Sequence, residues 1–418
     1  MKILIILNNR DREELVMKSI AREIYNVEQS ADIEIVDFNI KNIFRFVLKF
    51  NPNVILTYPF TVEGEAQKYY LFKILLSVKI ICLRAEGVVN LTSDLDIKRH
   101  IGYDQYGNNL VDYELFWGKE TRDVLGQELL NQNKMNNNNR MLAVGYPRLE
   151  NSYFRNQDKS IKNLPARISD EISKYSKENI LFFVTGFNLA DYTRNDFFLA
   201  GDADASNNID ELMKGAAYTK RYRECFVKKI INIAHDNPTL LLVIKKHPAE
   251  RIDSYPEFDG INNILFIHEV IDLNHILNVS GLFLHYGSTT VADSYLSKVP
   301  SVYIHYAEGY PWYCDYGFES SVRVELDDLH IVVKNYLTGK ITFRLTENMK
   351  NKLENIFNLR DNEKYTPSED IAKLILDLSP AQKIKLTDVF LLKALWNIVY
   401  LHSFGRFVNI LKKIKVNL

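Results

Sequence analysis

Cysteine is scarce. Its three occurrences in 418 residues, Cys82, Cys225 and Cys314, are odd in number and far apart, which excludes a disulfide framework and a close-spaced zinc site. A reducing, cytoplasmic setting fits that usage. Glycine (17) and proline (11) are thinly spread, and 46% of residues are apolar and 25% charged, so the composition is that of a folded globular chain rather than a low-complexity one. An excess of either charge is missing too. The 52 Lys and Arg against 53 Asp and Glu argue against a general nucleic-acid binder and leave any basic surface local. The apolar stretch Met1–Leu7 ends at Asn8-Asn9-Arg10-Asp11, too short for a signal peptide's hydrophobic region or a membrane span. It reads as a buried first strand.

The length exceeds one ordinary core and calls for two lobes and an appendage. Short apolar runs alternate with helical stretches: Lys2–Leu7, Ile33–Asp37, Val54–Thr57, Lys79–Leu83, Leu115–Trp117 and Met141–Val144. Strands separated by helices imply parallel βαβ units and an α/β class. After a charged, irregular segment a second set follows at Asn179–Val184, Leu240–Ile244, Ile264–Ile267, Leu282–His285 and Ser301–Ile304. We therefore expect a first lobe over 1–155, a linker over 156–177, a second lobe over 178–378 and a tail over 379–418. The tail sets Lys383, Lys385, Lys393, Arg406, Lys412, Lys413 and Lys415 against the single acid Asp388, interleaved with Trp396, Phe404 and Phe407. Such a stretch suits an amphipathic helix on an anionic membrane face, which would make the protein peripheral on the inner membrane. The plainer alternative is a helix packed on the first lobe with its lysines solvated.

Four segments carry candidate chemistry. A strand runs into Lys245-Lys246-His247-Pro248-Ala249-Glu250, and ligands of open α/β sheets bind beyond the carboxyl ends of strands, so Lys245 and His247 are placed to meet a phosphate. A second strand runs into His285-Tyr286-Gly287-Ser288-Thr289-Thr290 and then a helical run; Ser288 or Thr289 would cap that helix where its free N–H groups accept phosphate. Asp293, one turn on, is placed for ribose hydroxyls. In the first lobe Glu86-Gly87 ends a strand, and Glu86 is the candidate general acid/base. Asp191, in Thr185-Gly186-Phe187-Asn188-Leu189-Ala190-Asp191, is the candidate carboxylate for the donor sugar. Asp202-Ala203-Asp204 has the look of a metal-binding pair, but no strand precedes it and acidic loops are usually solvated, so no essential metal is expected.

Five motifs, in order, resemble those of bacterial surface-carbohydrate biosynthesis proteins related to the capsule and lipopolysaccharide transferases for Kdo, an ulosonic acid. They are Arg84-Ala85-Glu86-Gly87, Trp117-Gly118, Gly145-Tyr146-Pro147-Arg148, Lys245 through Glu250, and His285 through Ser294. Asp293-Ser294 stands where that group has Glu-Ala, and Arg84-Ala85 replaces its acidic flank. The resemblance implies the GT-B fold: two facing Rossmann-like domains, an N-terminal acceptor domain and a C-terminal donor domain. It implies a CMP-activated donor, with no further cofactor, whose phosphate is held by His247, Ser288 and Thr289. The acceptor would be a glycan or lipid-linked glycan. Glu86 would serve as acid/base, and Asp191 as nucleophile if transfer retains configuration. Polymer glycerophosphotransferases using a CDP-alcohol and sialyltransferase-like enzymes share the basic-His-Pro and Ser-Thr features, and a nucleotide-sugar-binding scaffold is the non-enzymatic alternative.

Overall fold

A computed structural model describes residues 1–8, 10–38, 43–59, 63–84, 110–131, 140–155, 160–193, 209–248, 250–306, 320–344, 346–359 and 365–378. Glu86, the Asp202–Asp204 pair and the tail over 379–418 lie outside the described residues.

The first lobe is built from β1 (Lys2–Leu7), α1 (Arg10–Val27), β2 (Asp32–Asp37), α2 (Ile43–Phe50), β3 (Val54–Thr57), α3 (Glu63–Leu76), β4 (Lys79–Leu83), β5 (Tyr113–Phe116), α4 (Lys119–Asn131) and β6 (Met141–Ala143). Its strands form one parallel sheet in the order β2-β1-β3-β4-β5-β6. Strand side chains alternate between faces, and both faces are covered here. Leu4, Ile6, Ile55 and Ile80 pack beneath α2 and α3, while Ile3, Ile5, Leu56 and Ile81 pack beneath α1. Burial on two faces explains why these strands read as near-continuous apolar runs.

The second lobe follows the same plan. After α5 (Ala166–Ile172) come β7 (Ile180–Val184), α6 (Ile209–Asp236), β8 (Leu241–Lys245), β9 (Ile264–Ile267), α7 (Leu273–Leu277), β10 (Leu282–His285), α8 (Val291–Leu296), β11 (Ser301–His305), β12 (Val322–Glu325) and α9 (Leu329–Leu337). The parallel sheet runs β12-β11-β10-β7-β8-β9. Strand β12 was not expected from sequence. It is the edge strand Val-Arg-Val-Glu with only Val324 buried, so it lacks the apolar run that marks the others.

The chain then returns. Helices α10 (Glu347–Phe357) and α11 (Pro367–Leu376) bury Leu353, Ile356, Phe357, Ile371, Ala372 and Ile375 in the same core as Ile3, Ile5 and Met17 of the first lobe. The second lobe, expected to run to residue 378, ends earlier, because this packing sets 347–378 against the first. Glu150 accepts the Ser368 amide at 2.7 Å, and the Ser19 and Ser368 hydroxyls meet at 2.8 Å. Tyr365 donates to the Phe357 carbonyl at 2.9 Å and accepts from the Tyr146 amide at 2.6 Å.

At Gly118 the lobe and its returning helices come too close for a side chain. A Cβ there would stand 2.1 Å from the carbonyl oxygens of Asn355 and Ile356, so even alanine must push α10 away. Overpacking of that kind costs about 1–3 kcal/mol. Gly118→Ala should lower the melting temperature and make α10 and α11 the first segments cut in limited proteolysis.

Candidate functional site

Strand order places the crevices. In the second sheet the order reverses between β7 and β10, and in the first between β1 and β3; ligand crevices of open α/β sheets lie at such switch points, at the carboxyl ends of the strands. The turns after β7, β8 and β10 therefore frame the second-lobe crevice. With neighbouring strands about 4.8 Å apart, the ends of β8 and β10 lie about 10 Å apart across β7, a span that suits a phosphate-bearing ligand.

The turn after β8 is organised by a carboxylate. Glu250, 4% exposed, accepts from the Thr185 hydroxyl, the Phe187 amide at 2.5 Å, the Tyr255 hydroxyl at 2.8 Å and the His247 amide at 3.0 Å. Burial pushes its carboxyl above the ordinary range despite these donors. The Lys246 ammonium donates to the carbonyls of His247 at 2.7 Å, Pro248 at 3.4 Å and Glu250. It therefore holds the turn together. Lys245 is buried at the strand end and donates to the Lys246 carbonyl at 2.8 Å. Burial first, then the charge of Lys246, lowers its ammonium to about 8. The His247 amide is bonded to the Thr185 hydroxyl at 2.9 Å, and the residue is half-buried.

The turn after β10 rests on a neutral histidine. His285 is fully buried, and burial lowers its imidazole to about 3. Its Nδ1 accepts from the Ser288 amide at 3.3 Å. The proton therefore sits on Nε2, which donates to the Ser321 hydroxyl at 2.8 Å. Gly287 adopts φ +75°, in the left-handed region that a side chain disfavours, and turns the chain toward the crevice. Ser288 accepts from the Thr290 amide at 3.2 Å, and the helix starts only at Val291, past the expected caps. Thr289 is half-buried. The structure thus brings Lys245, His247, Ser288 and Thr289 to one carboxyl edge.

Two expected site residues are placed otherwise. Asp191, expected as nucleophile, is 1% exposed and accepts from the Arg251 amide at 3.1 Å, the Ser254 hydroxyl at 3.0 Å and Arg223 at 3.5 Å. Those partners staple the segment after β7 to the 251–254 turn and to α6; a carboxylate so enclosed is a fastener rather than a group facing sugar. Asp293, expected near ribose, is fully buried. Both its oxygens are taken by the Arg148 guanidinium, at 2.8 and 2.6 Å, and the Tyr153 hydroxyl approaches at 3.2 Å.

Arg148 belongs to the Gly-Tyr-Pro-Arg turn after β6, so this bidentate pair joins the two lobes. The Trp117 ring stacks on Tyr146 at 3.9 Å between centroids, and its indole N–H donates to the Arg84 carbonyl at 2.8 Å. Arg84 in turn is ion-paired with buried Glu114 at 2.8 Å. Described residues of four of the five sequence motifs thus form one connected path, with Arg84 at one end and Asp293 at the other. Sequence reasoning assigned no role to Arg148, Thr185, Glu250 or Tyr365. The first three stand inside quoted segments, which was the available signal.

Among the described residues no group of three or more His, Cys, Asp or Glu side chains is arranged to hold a metal ion. No helix among them is long and apolar enough to cross a membrane.

Glutamine at 250 keeps the shape but turns one acceptor oxygen into a donor facing donors. Glu250→Gln should cost about 1–3 kcal/mol of unfolding free energy in urea, with wild-type stability as the contrary result. Removing Arg148 leaves a buried carboxylate unpaired. Because the Arg148 side chain is 30% exposed, Arg148→Gln should cost about 3 kcal/mol, at the low end for broken buried pairs. Pairing it with Asp293→Asn should recover part of that loss; additive losses would show that the two residues are not coupled.

No protein-family model matches the sequence, and no curated protein matches it in a sequence comparison. Among solved structures, the chain is similar to the UDP-GlcNAc 2-epimerase of Methanocaldococcus jannaschii in complex with UDP-GlcNAc and UDP. The two are 14% identical with a TM-score of 0.55, over 90% of this chain and 99% of that one. It is similar to the Neisseria meningitidis UDP-GlcNAc 2-epimerase bound to UDP-GlcNAc, at 12% identity and TM-score 0.53, over 90% and 100% of the two chains. It is also similar to the wall teichoic acid polymerase TagF soaked with CDPG, at 13% identity and TM-score 0.51, over 90% and 88%. These likenesses concern the fold, which is GT-B-like: two parallel-sheet Rossmann-like domains.

Proposed function

We propose that the chain is a GT-B-type transferase that moves a nucleotide-activated sugar to an acceptor during synthesis of a cell-surface glycan. The observation that carries this reading is the shared carboxyl edge: Lys245 and His247 after β8 and the Gly287–Thr289 turn after β10 flank the switch point of the second sheet. Cationic and N–H donors about 10 Å apart suit an anionic diphosphate or phosphate bridge. Its fold neighbours, bound to UDP-GlcNAc and UDP or soaked with CDPG, support a nucleotide-linked ligand.

Within that reading the donor is a CMP-activated ulosonic acid such as Kdo, the assignment that the five motifs favour. Glu86 is the acid/base. With Asp191 fastened elsewhere, an inverting displacement, which needs a base and no protein nucleophile, is the simpler course. The acceptor is a glycan or lipid-linked glycan. The TagF likeness favours one second reading, transfer of an alditol phosphate from a CDP-alcohol.

A donor panel tests all of these. CMP-Kdo should raise the melting temperature, since a ligand that binds only the native state stabilises it with the logarithm of its excess; CDP-glycerol and UDP-GlcNAc should do so less. Conversion of UDP-GlcNAc with no acceptor present would replace transfer by epimerisation, and a phosphodiester product would replace glycoside transfer. Glu86→Gln should cut turnover by about 10²–10⁴ while donor binding persists.

Lys245 adds a pH dependence. Its free ammonium titrates near 8, and an anion beside it raises that value. Donor affinity should then be level below pH 8 and fall as pH rises past it. Lys245→Arg, which stays charged, should abolish the fall, and an unchanged pH profile in that variant would remove Lys245 from the donor site.

A further inference from the structure

From Phe38 through Val62 the sequence contains no Asp or Glu, yet it carries Lys41, Arg45 and Lys49. The central part of this stretch is α2, Ile-Phe-Arg-Phe-Val-Leu-Lys-Phe, of which only Ile43 and Val47 are fully buried. Arg45 and Lys49 are exposed one turn apart, with Leu48 at 38% exposure between them. Phe46 and Phe50 are half-buried, with part of each ring packed on the first-lobe core, and stack on each other, 6.1 Å between centroids and 11° between planes; the Lys2 ammonium lies 5.3 Å from the Phe50 ring. Helix α3, against which α2 packs, adds Leu75 at 43% exposure. The acids nearby belong to neighbouring elements: in the edge strand β2 Asp32 pairs with Lys2 at 3.9 Å and Asp37 with Arg10 at 2.9 Å while Glu34 is exposed, and α3 carries Glu63 and Glu65 at its start.

A helix face that shows cations and half-sunk aromatic rings together, with no acid on the helix itself, matches one kind of surface. Basic side chains extend to anionic headgroups while Phe and Leu enter the boundary below them. A protein partner of acidic character would use Arg45 and Lys49 but would gain little from the rings. We propose that the outward face of α2 docks the first lobe on an anionic lipid surface. This contact is separate from the C-terminal segment and holds whatever donor the enzyme uses. It would bring the first-lobe crevice close to an acceptor carried by lipid.

The full-length chain is tested on vesicles of phosphatidylethanolamine and phosphatidylglycerol in equal parts, against phosphatidylcholine alone. Each basic residue near an anionic surface is worth about a five-fold change in partition, so Arg45→Glu/Lys49→Glu should weaken co-sedimentation with the anionic vesicles by about thirty-fold or more. Arg45→Lys/Lys49→Arg should bind as wild type. Both pairs are exposed, so thermal melts should coincide. In a second measurement Leu48→Trp should add fluorescence that shifts to the blue and is quenched by brominated acyl chains. Unchanged binding of the charge-reversed chain, or an added tryptophan that stays unquenched while the protein binds vesicles, would overturn the proposal and leave membrane contact to other segments. Competition by soluble polyglutamate without any blue shift would overturn it in favour of an acidic protein partner.

Discussion

The arrangement of the molecule turns on one ion pair. Arg148 leaves the first lobe and Asp293 rises from the second, and their two parallel hydrogen bonds form where the carboxylate is wholly shielded from water. Such a carboxylate cannot be left alone, because a buried charge without a partner costs several kcal/mol, so this guanidinium constrains the angle between lobes, beside the Asn274 bond to the Ser152 carbonyl at 2.8 Å and the packing of Val291 and Ala292 in the first-lobe core. That position is itself over-determined. Tyr146 next to it is stacked on Trp117 and held at its amide by Tyr365, so the turn cannot drift without disturbing the lobe core and the returning helices together.

Across the second lobe, three carboxylates do the work of ordering turns. Glu250, Asp191 and Asp293 each collect backbone or side-chain donors from segments far apart in the chain. A carboxylate accepts up to about four hydrogen bonds and offers none, which suits it to a crowded strand end full of N–H groups.

Much of the architecture was legible in the sequence for a definite reason. Parallel strands covered on both faces must be apolar throughout, so Lys2–Leu7, Val54–Thr57, Lys79–Leu83 and Leu282–His285 declare themselves. The edge strand Val322–Glu325 escaped because one side of it needs no cover. Of the site, the strand ends could be read, since a motif that follows a strand is delivered to the carboxyl edge by topology alone. The duties of particular carboxylates could not. Asp293 meets Arg148 across 145 residues and Glu250 meets Phe187 across 63, and no local periodicity encodes such meetings. A buried fastener and a catalytic carboxylate look alike until their donors are known.

The return of α10 and α11 to the first lobe has a consequence for synthesis. The core that contains Ile3, Ile5 and Met17 also contains Ile371 and Ile375, so the lobe that leaves the ribosome first is the one finished last. Until the closing segment emerges, the early sheet shows water an apolar face that its own helix α1 covers only in part, while the second lobe already has nearly all of its own chain. A nascent chain of this design must wait on its far end, and the interval in which its first half is open to a chaperone or to misassembly grows with the length of everything inserted between.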